Sequence, residues 1–168
     1  GSDRKRLSKR HAATNVQEYK EKGFTPTSII NYLSLLGWNP DSEQEIFKID
    51  ELVSAFNFEQ VQKKPATFDE KKLLWISGQQ MAIMTTKSAI SEIEFLKAGW
   101  TDSQDRNYVM DVIKLVKDRS KTLVDLFEIS SIFFEENITY DSEMSKKILN
   151  DESIEIIVEC TGNPIASV

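Results

Sequence analysis

Apolar residues recur every three or four positions over most of this chain, the spacing that places them on one face of an α-helix. The clearest case is the segment 109–116, where Val109, Val112, Ile113 and Val116 share one face and the charged residues Asp111 and Lys114 lie on others. No convincing run alternates between apolar and polar residues, as a half-buried strand would. The pattern predicts a chain that is all-α, or nearly so.

Capping residues mark where several of these helices begin and end. A first helix from Val16 is expected to stop at Gly23, and a second to begin with Thr25 as N-cap and Pro26 at the first helical position. Two four-residue segments, 67–70 and 101–104, have the capping-box pattern and predict two further starts. The buried stripe of the second helix is predicted to be Ile29, Ile30, Leu33 and Leu36.

Later helices are predicted from the same periodicity. One is expected over about 88–98, one with Val109, Val112, Ile113 and Val116 on its buried face, and one containing Leu123, Leu126, Phe127 and Phe134. Two more are expected at 143–149 and 153–160.

The amino-acid composition and sequence exclude several kinds of functional site. With one cysteine, Cys160, and one histidine, His11, the chain offers neither a disulfide framework nor a multi-residue zinc site, and no metal site is predicted. There is no Ser-His-Asp arrangement and no glycine-rich phosphate loop. No apolar run reaches the about 18 residues that a membrane-spanning helix needs.

Charge is unevenly distributed, which matters for any polyanionic partner. The net charge is −6, but residues 1–84 carry 12 Lys/Arg against 11 Asp/Glu, and residues 85–168 carry 9 against 16. A nucleic acid would therefore need local basic patches rather than an attractive global field.

The sharpest such patch is the loop Arg6-Leu7-Ser8-Lys9-Arg10. Cations beside a hydroxyl on a loop suit a triphosphate, because a lysine can follow the charge that develops on leaving pyrophosphate. A solvated basic arm that binds polyanions in general is the alternative, since short basic runs have low specificity.

Further along, Lys114, Lys117 and Lys121 are three and four positions apart, with Arg119 between them. On one helix face they would line a phosphate backbone, and they are the candidate RNA-binding residues. A solvated helix face is the alternative. Trp38, Trp75 and Trp100 could stack on splayed bases, but their flanking periodicity favours core packing.

Together, these residues resemble the glutamyl-tRNA synthetases of the bacterial type. Arg6–Arg10 with His11-Ala12-Ala13 is similar to the family's KMSKS-type signature K-L-S-K-R-H-G-A, with Arg6 for Lys and Ala12 for Gly. The segment 31–38, Asn-Tyr-Leu-Ser-Leu-Leu-Gly-Trp, resembles the family's N-Y-L-x-L-L-G-W. Weaker matches continue in order to about residue 160.

The resemblance implies a class I aminoacyl-tRNA synthetase that activates glutamate with ATP and Mg²⁺ and transfers it to tRNA(Glu). It implies that Lys9 stabilises the phosphates, while Arg6, Leu7, Ser8 and Arg10 complete the ATP loop. It also implies a cytoplasmic protein, expected to be a monomer. Helical character favours the bacterial type, because other branches have β-barrel anticodon domains.

The resemblance also predicts the domain organisation. Residues 1–14 would be a tag remnant and the KMSKS-type loop, 15–80 a stem-contact domain, and 81–168 a helical anticodon-binding subdomain that is cut at its C-terminus. The catalytic nucleotide-binding fold would lie upstream, so this chain alone is expected not to aminoacylate. A helical protein-interaction module with a basic N-terminal arm is the alternative function, motivated by the acidic net charge.

Overall fold

A computed structural model of the chain describes residues 15–40, 42–63 and 66–134. By its internal contacts the chain divides into two units, Gly1–Ser130 and Ser131–Val168. The account below concerns the described part of the first unit. The helices predicted at 143–149 and 153–160 lie outside the described residues.

The described chain is helical, which confirms the predicted fold class. Between its helices lie two 3-10 turns, Phe58–Gln60 and Lys117–Arg119. No strand occurs among the described residues, where the only β-type pairing is an isolated antiparallel bridge between Trp38 and Val61. The α-helices are α1 (Val16–Glu21), α2 (Pro26–Gly37), α3 (Ile49–Ala55), α4 (Glu70–Ile83), α5 (Thr86–Leu96), α6 (Arg106–Val116) and α7 (Leu123–Ser131).

Helix starts follow the predicted chemistry at α2 but not at α4 and α6. The Thr25 hydroxyl accepts from the Ser28 N–H at 3.2 Å, with Pro26 at the first position, as expected. The predicted capping boxes at 67–70 and 101–104 are wrong: the caps are Asp69 and Asp105, and each carboxylate accepts from two backbone N–H groups of the first turn. A charged acceptor that satisfies two amides also complements the helix dipole.

The stripe predicted for α2 is half right, because Ile29 and Leu36 pack against the core cluster but Ile30 and Leu33 do not. Ile30 and Leu33 are 46% and 50% exposed, whereas Ser28, Asn31 and Tyr32 are buried. Helical spacing fits both sets, so the pattern of apolar residues could not choose between them. The face of α2 that is buried is the one with hydrogen-bonding groups, because α4 packs there and supplies partners for them.

Asn31 is the centre of that hydrogen-bonding face. Its Nδ2 donates to the Glu45 carbonyl at 2.9 Å, and its Oδ1 accepts from the Phe47 N–H at 3.0 Å. Gln80 of α4 donates Nε2 to both Asn31 Oδ1 and the Phe47 carbonyl, each at 2.8 Å. The network ties the loop before α3 to α2 and α4, and leaves few buried polar groups unpaired.

Tyr32 joins the same two helices at their other end. Its ring meets Phe68 edge-on at 5.0 Å, and its hydroxyl accepts from the Asp69 N–H at 2.6 Å. Burial raises the pKa of Tyr32, so the hydroxyl stays neutral over the physiological range. The segment 31–38 therefore holds neighbouring elements together. Asn31 bonds to the loop before α3 and to α4, Tyr32 contacts the start of α4, and Trp38 pairs with Val61.

Candidate nucleic-acid interface

Only one of the two predicted cationic groups falls in the described part of the chain. Lys9 and the rest of the loop Arg6–Arg10 lie outside the described residues, so their assignment to ATP stays a prediction. The second group, Lys114, Lys117, Arg119 and Lys121, can be placed residue by residue.

Lys117 does not belong to an exposed row. It is only 7% exposed, because α6 ends at Val116 and the following 3-10 turn directs Lys117 inward. Its Nζ donates to the carbonyls of Met81 and Ala82 at 3.1 and 2.6 Å, and to Asp118 Oδ1 at 2.7 Å. The prediction that Lys117 lines a phosphate backbone is therefore wrong: the ammonium satisfies two of the last carbonyls of α4.

The break at Val116 also separates the remaining three cations. Lys114 stays exposed on α6, whereas Arg119 and Lys121 are exposed on the segment between α6 and α7. Arg119 and Lys121 line one cleft with α4, of about 160 Å³. Within the described residues neither of the two forms an ion pair.

Trp75 lines the same cleft and is 45% exposed, so the expectation that it packs in the core is wrong. The buried face of α4 carries Leu73, Ile76 and Gln80, and a residue one position before Ile76 lies off that stripe. This offset was available in the sequence and could have identified Trp75 as a surface residue.

The other two tryptophans follow the packing expectation. Trp38 is 3% exposed and contacts Phe47 and Phe56 with ring centroids 5.8 and 5.5 Å apart. Trp100 is partly buried and meets Phe127 edge-on at 5.8 Å. Of the three, Trp75 alone presents its ring beside exposed cations.

Lys121 lies against α4 at Gly78. A Cβ built on Gly78 would lie 3.4 Å from Lys121 Cγ and 3.9 Å from its Cα. The helix therefore presents bare backbone where the cationic segment crosses it. Two carboxylates lie near this segment: Asp118 accepts from the ammonium of Lys117, and Asp125 accepts from the backbone N–H groups of Lys121 and Thr122.

Two other kinds of feature, a metal site and a membrane-spanning helix, are absent from the described part of the chain. No group of three or more His, Cys, Asp or Glu side chains there could hold a metal ion. No described helix is long and apolar enough to cross a membrane.

Comparison with known families divides the chain into two parts, and the division falls within α4. The family described as tRNA synthetases class I (E and Q), catalytic domain, matches residues 1–75. The family described as anticodon binding domain matches residues 80–162. These matches favour the synthetase interpretation over the protein-interaction module. The predicted domain limits of 15–80 and 81–168 stay predictions.

Individual relatives agree with the family matches. The chain is 38% identical over 151 residues to the glutamate–tRNA ligase of Moorella thermoacetica, covering 86% of this chain and 31% of that protein. It is 35% identical over 170 residues to the glutamate–tRNA ligase of Sulfurihydrogenibium, covering 98% and 35%. The chain thus spans about a third of the length of the relatives it matches.

Solved structures give the same result. A glutamate tRNA ligase from Elizabethkingia meningosepticum, crystallised in complex with its amino acid, superposes with a TM-score of 0.68 at 27% identity, covering 80% of this chain and 27% of that one. The glutamate–tRNA synthetase of Elizabethkingia anophelis gives 0.63 at 28% identity, covering 77% and 26%. The chain therefore belongs to the class I tRNA synthetases of the glutamate and glutamine type, of which it carries a catalytic-domain segment followed by an anticodon binding domain.

Proposed function

We propose that this chain is the tRNA-binding part of a glutamate–tRNA ligase. The observation that carries the proposal is the ordered pair of family matches in this chain, at 1–75 and 80–162, together with its similarity to relatives named glutamate–tRNA ligase. The exposed cations Arg119 and Lys121 support it, because phosphate contacts dominate RNA affinity and these two lack a carboxylate partner within the described residues.

The parent enzyme would attach glutamate to tRNA(Glu) in two steps. It would first form glutamyl-adenylate from glutamate and Mg-ATP and release pyrophosphate, with Arg6, Leu7, Ser8, Lys9 and Arg10 as the phosphate loop. It would then pass the glutamyl group to the tRNA and release AMP. The helical part described here would hold the body and anticodon arm of the tRNA. We place the enzyme in the cytoplasm as a monomer, where protein synthesis uses its product.

Binding to tRNA tests the proposal directly. In a filter-binding titration we expect this chain to prefer tRNA(Glu) over an unrelated tRNA, and to keep that preference between 50 and 200 mM salt. Affinity for both should fall as salt rises, because displaced counterions accompany each phosphate contact. Equal binding to both tRNAs, lost with salt, would contradict specific recognition by this part of the enzyme.

A separate prediction concerns the phosphate loop of the full-length enzyme. Lys9→Ala should slow ATP–pyrophosphate exchange about a hundredfold, because one charge-stabilising contact in the transition state is removed. Affinity for tRNA should change little. An unchanged exchange rate would reject the assignment of Lys9 to adenylate formation.

A further inference from the structure

The segment from α3 to the 3-10 turn that follows it exposes four apolar side chains, Val53, Phe56, Phe58 and Val61, here called the 53–61 face. Val53 is 73% exposed and Phe58 is 84% exposed. We infer that this face is the surface on which the rest of the catalytic domain of the same polypeptide packs. The inference rests on the proposed function, in which this chain is part of a longer ligase.

Direct contacts join the members of the 53–61 face to each other and to the core. The ring of Phe58 meets that of Phe56 edge-on with centroids 5.3 Å apart, and Phe56 contacts the buried ring of Trp38 at 5.5 Å. Val53 lies one helical turn before Phe56, and Val61 pairs with Trp38 in the isolated bridge. The four side chains therefore form one continuous apolar surface, and a continuous exposed apolar surface marks an interaction site.

The most exposed member, Phe58, is held on a fixed backbone. The Asn57 side chain accepts from the Glu59 N–H at 2.9 Å and so caps the 3-10 turn. Just after the turn, the Gln62 N–H donates to the Gly37 carbonyl at 2.7 Å, which fastens the segment to the end of α2. An aromatic side chain on an ordered backbone loses little conformational freedom when a partner covers it, and interface anchors have this property.

The charge around the face argues against RNA and against a second copy of the chain as its occupant. Between residues 47 and 61 the sequence has one cation, Lys48, and three carboxylates, Asp50, Glu51 and Glu59, a balance of −2. All four of these side chains are exposed. A negative surround repels phosphate groups, and two copies facing each other through this surface would bring like charges together.

The position of the face within the family matches indicates what covers it. The face lies inside residues 1–75, which match the catalytic-domain family, and outside the anticodon-binding match at 80–162. The chain covers 31% of the glutamate–tRNA ligase of Moorella thermoacetica, so most of that relative's length has no counterpart here. Elements of a domain bury their apolar faces against one another, so a segment taken without the remainder leaves such a face open. The remaining catalytic-domain part should therefore present an apolar surface bordered by basic residues.

Hydroxyl-radical footprinting of the full-length enzyme, without tRNA, tests this placement. Phe58 should be oxidised about fivefold more slowly in the full-length enzyme than in the 168-residue chain, because packing excludes water from its ring. Phe95 is the matched control: it is 72% exposed, lies in the anticodon-binding match and should be oxidised at the same rate in both proteins. Both proteins are wild type, so the result does not depend on whether a variant folds.

One substitution compared in two proteins gives the second readout. Phe58→Ser should lower the thermal transition of the full-length enzyme by about 3 °C, because an anchor of the packed face is lost. It should leave the transition of the 168-residue chain unchanged, since the ring is exposed there. Phe95→Ser should shift both transitions by the same amount. Equal shifts for Phe58→Ser in the two proteins would contradict packing on this face.

The other outcomes of footprinting identify what covers the face instead. Equal oxidation of Phe58 in both proteins would mean that no part of the enzyme packs there, and would leave the proposed function standing. Protection in the 168-residue chain that is lost on dilution would identify a second copy, and protection that requires tRNA(Glu) would identify RNA; either result overturns the inference. Charging of tRNA with glutamate in the same preparation tests the proposed function separately. Protection of Phe58 without charging would reject that function and keep the packing surface.

Discussion

Replacing Gly23 with alanine is expected to lower the free energy of unfolding by about 4 kcal/mol, the largest effect among the substitutions considered. Gly23 has a φ of +81°, and a Cβ there would lie 2.5 Å from the backbone N of Val124 and 2.9 Å from its Cγ2. The methyl group would meet backbone that cannot move aside, because the Leu123 N–H donates to the Gly23 carbonyl at 2.8 Å. The turn between α1 and α2 would have to separate from the start of α7.

Two other glycines provide matched controls for this prediction. Gly37→Ala should stay within about 1 kcal/mol of the wild type or be slightly stabilising, since nothing lies within 4 Å of its Cβ position. Gly99→Ala should fall between the two: its φ is +77°, but the nearest group is the flexible carboxylate of Asp102 at 3.0 Å. Urea unfolding with an unchanged m-value measures all three. Equal losses for Gly23→Ala and Gly37→Ala would contradict the close approach to Val124.

Lys117→Met is expected to lower the free energy of unfolding by about 3 to 4 kcal/mol, although it keeps a long unbranched side chain. The variant loses the ammonium that donates to Met81, Ala82 and Asp118. Both carbonyls belong to the last turn of α4, where no intrahelical donor remains. They would be left without their charged donor, at a helix end where positive charge is favourable.

Lys114→Met is the control, because Lys114 lies three positions earlier and is exposed on α6. It should change stability by no more than about 0.5 kcal/mol. The pair also separates structure from binding. Below its unfolding transition, Lys117→Met should keep the salt dependence of tRNA binding, since its ammonium faces α4 rather than solvent. A lower salt slope with undiminished stability would return Lys117 to the RNA-binding set.

The buried Lys117 and the cleft beside Trp75 depend on the same local structure. Lys117 fixes the end of α4, and the next residues, 118–121, cross α4 at Gly78 to form the cleft beside Trp75. The cation nearest to the helix therefore positions the segment, whereas the two following it face solvent. Four cations that are close together in the sequence therefore have at least two different roles in the folded chain.

Local rules were sufficient to identify the family and several of the helices, although not the starts of α4 and α6. Gly23 and Thr25-Pro26 mark a helix end and a helix start through backbone conformations that few other residues allow, and both appear in the structure. The buried face of α6, with Val109, Val112, Ile113 and Val116, also follows from its period alone. The motif at residues 31–38 identified the family because its residues occur in a fixed order, which is a property of the sequence.

Tertiary packing decided the buried face of α2 and which of the cations are free. In α2 the network of Asn31 with Gln80 buries a polar position that the apolar pattern did not mark, while Ile30 and Leu33 of the predicted stripe stay exposed. Lys117 is buried because the carbonyls of a helix more than thirty residues away lie within reach of its ammonium. Residue type and spacing limit the local conformations that a chain can adopt, but hydrogen-bond partners distant in sequence exist only after the helices have packed.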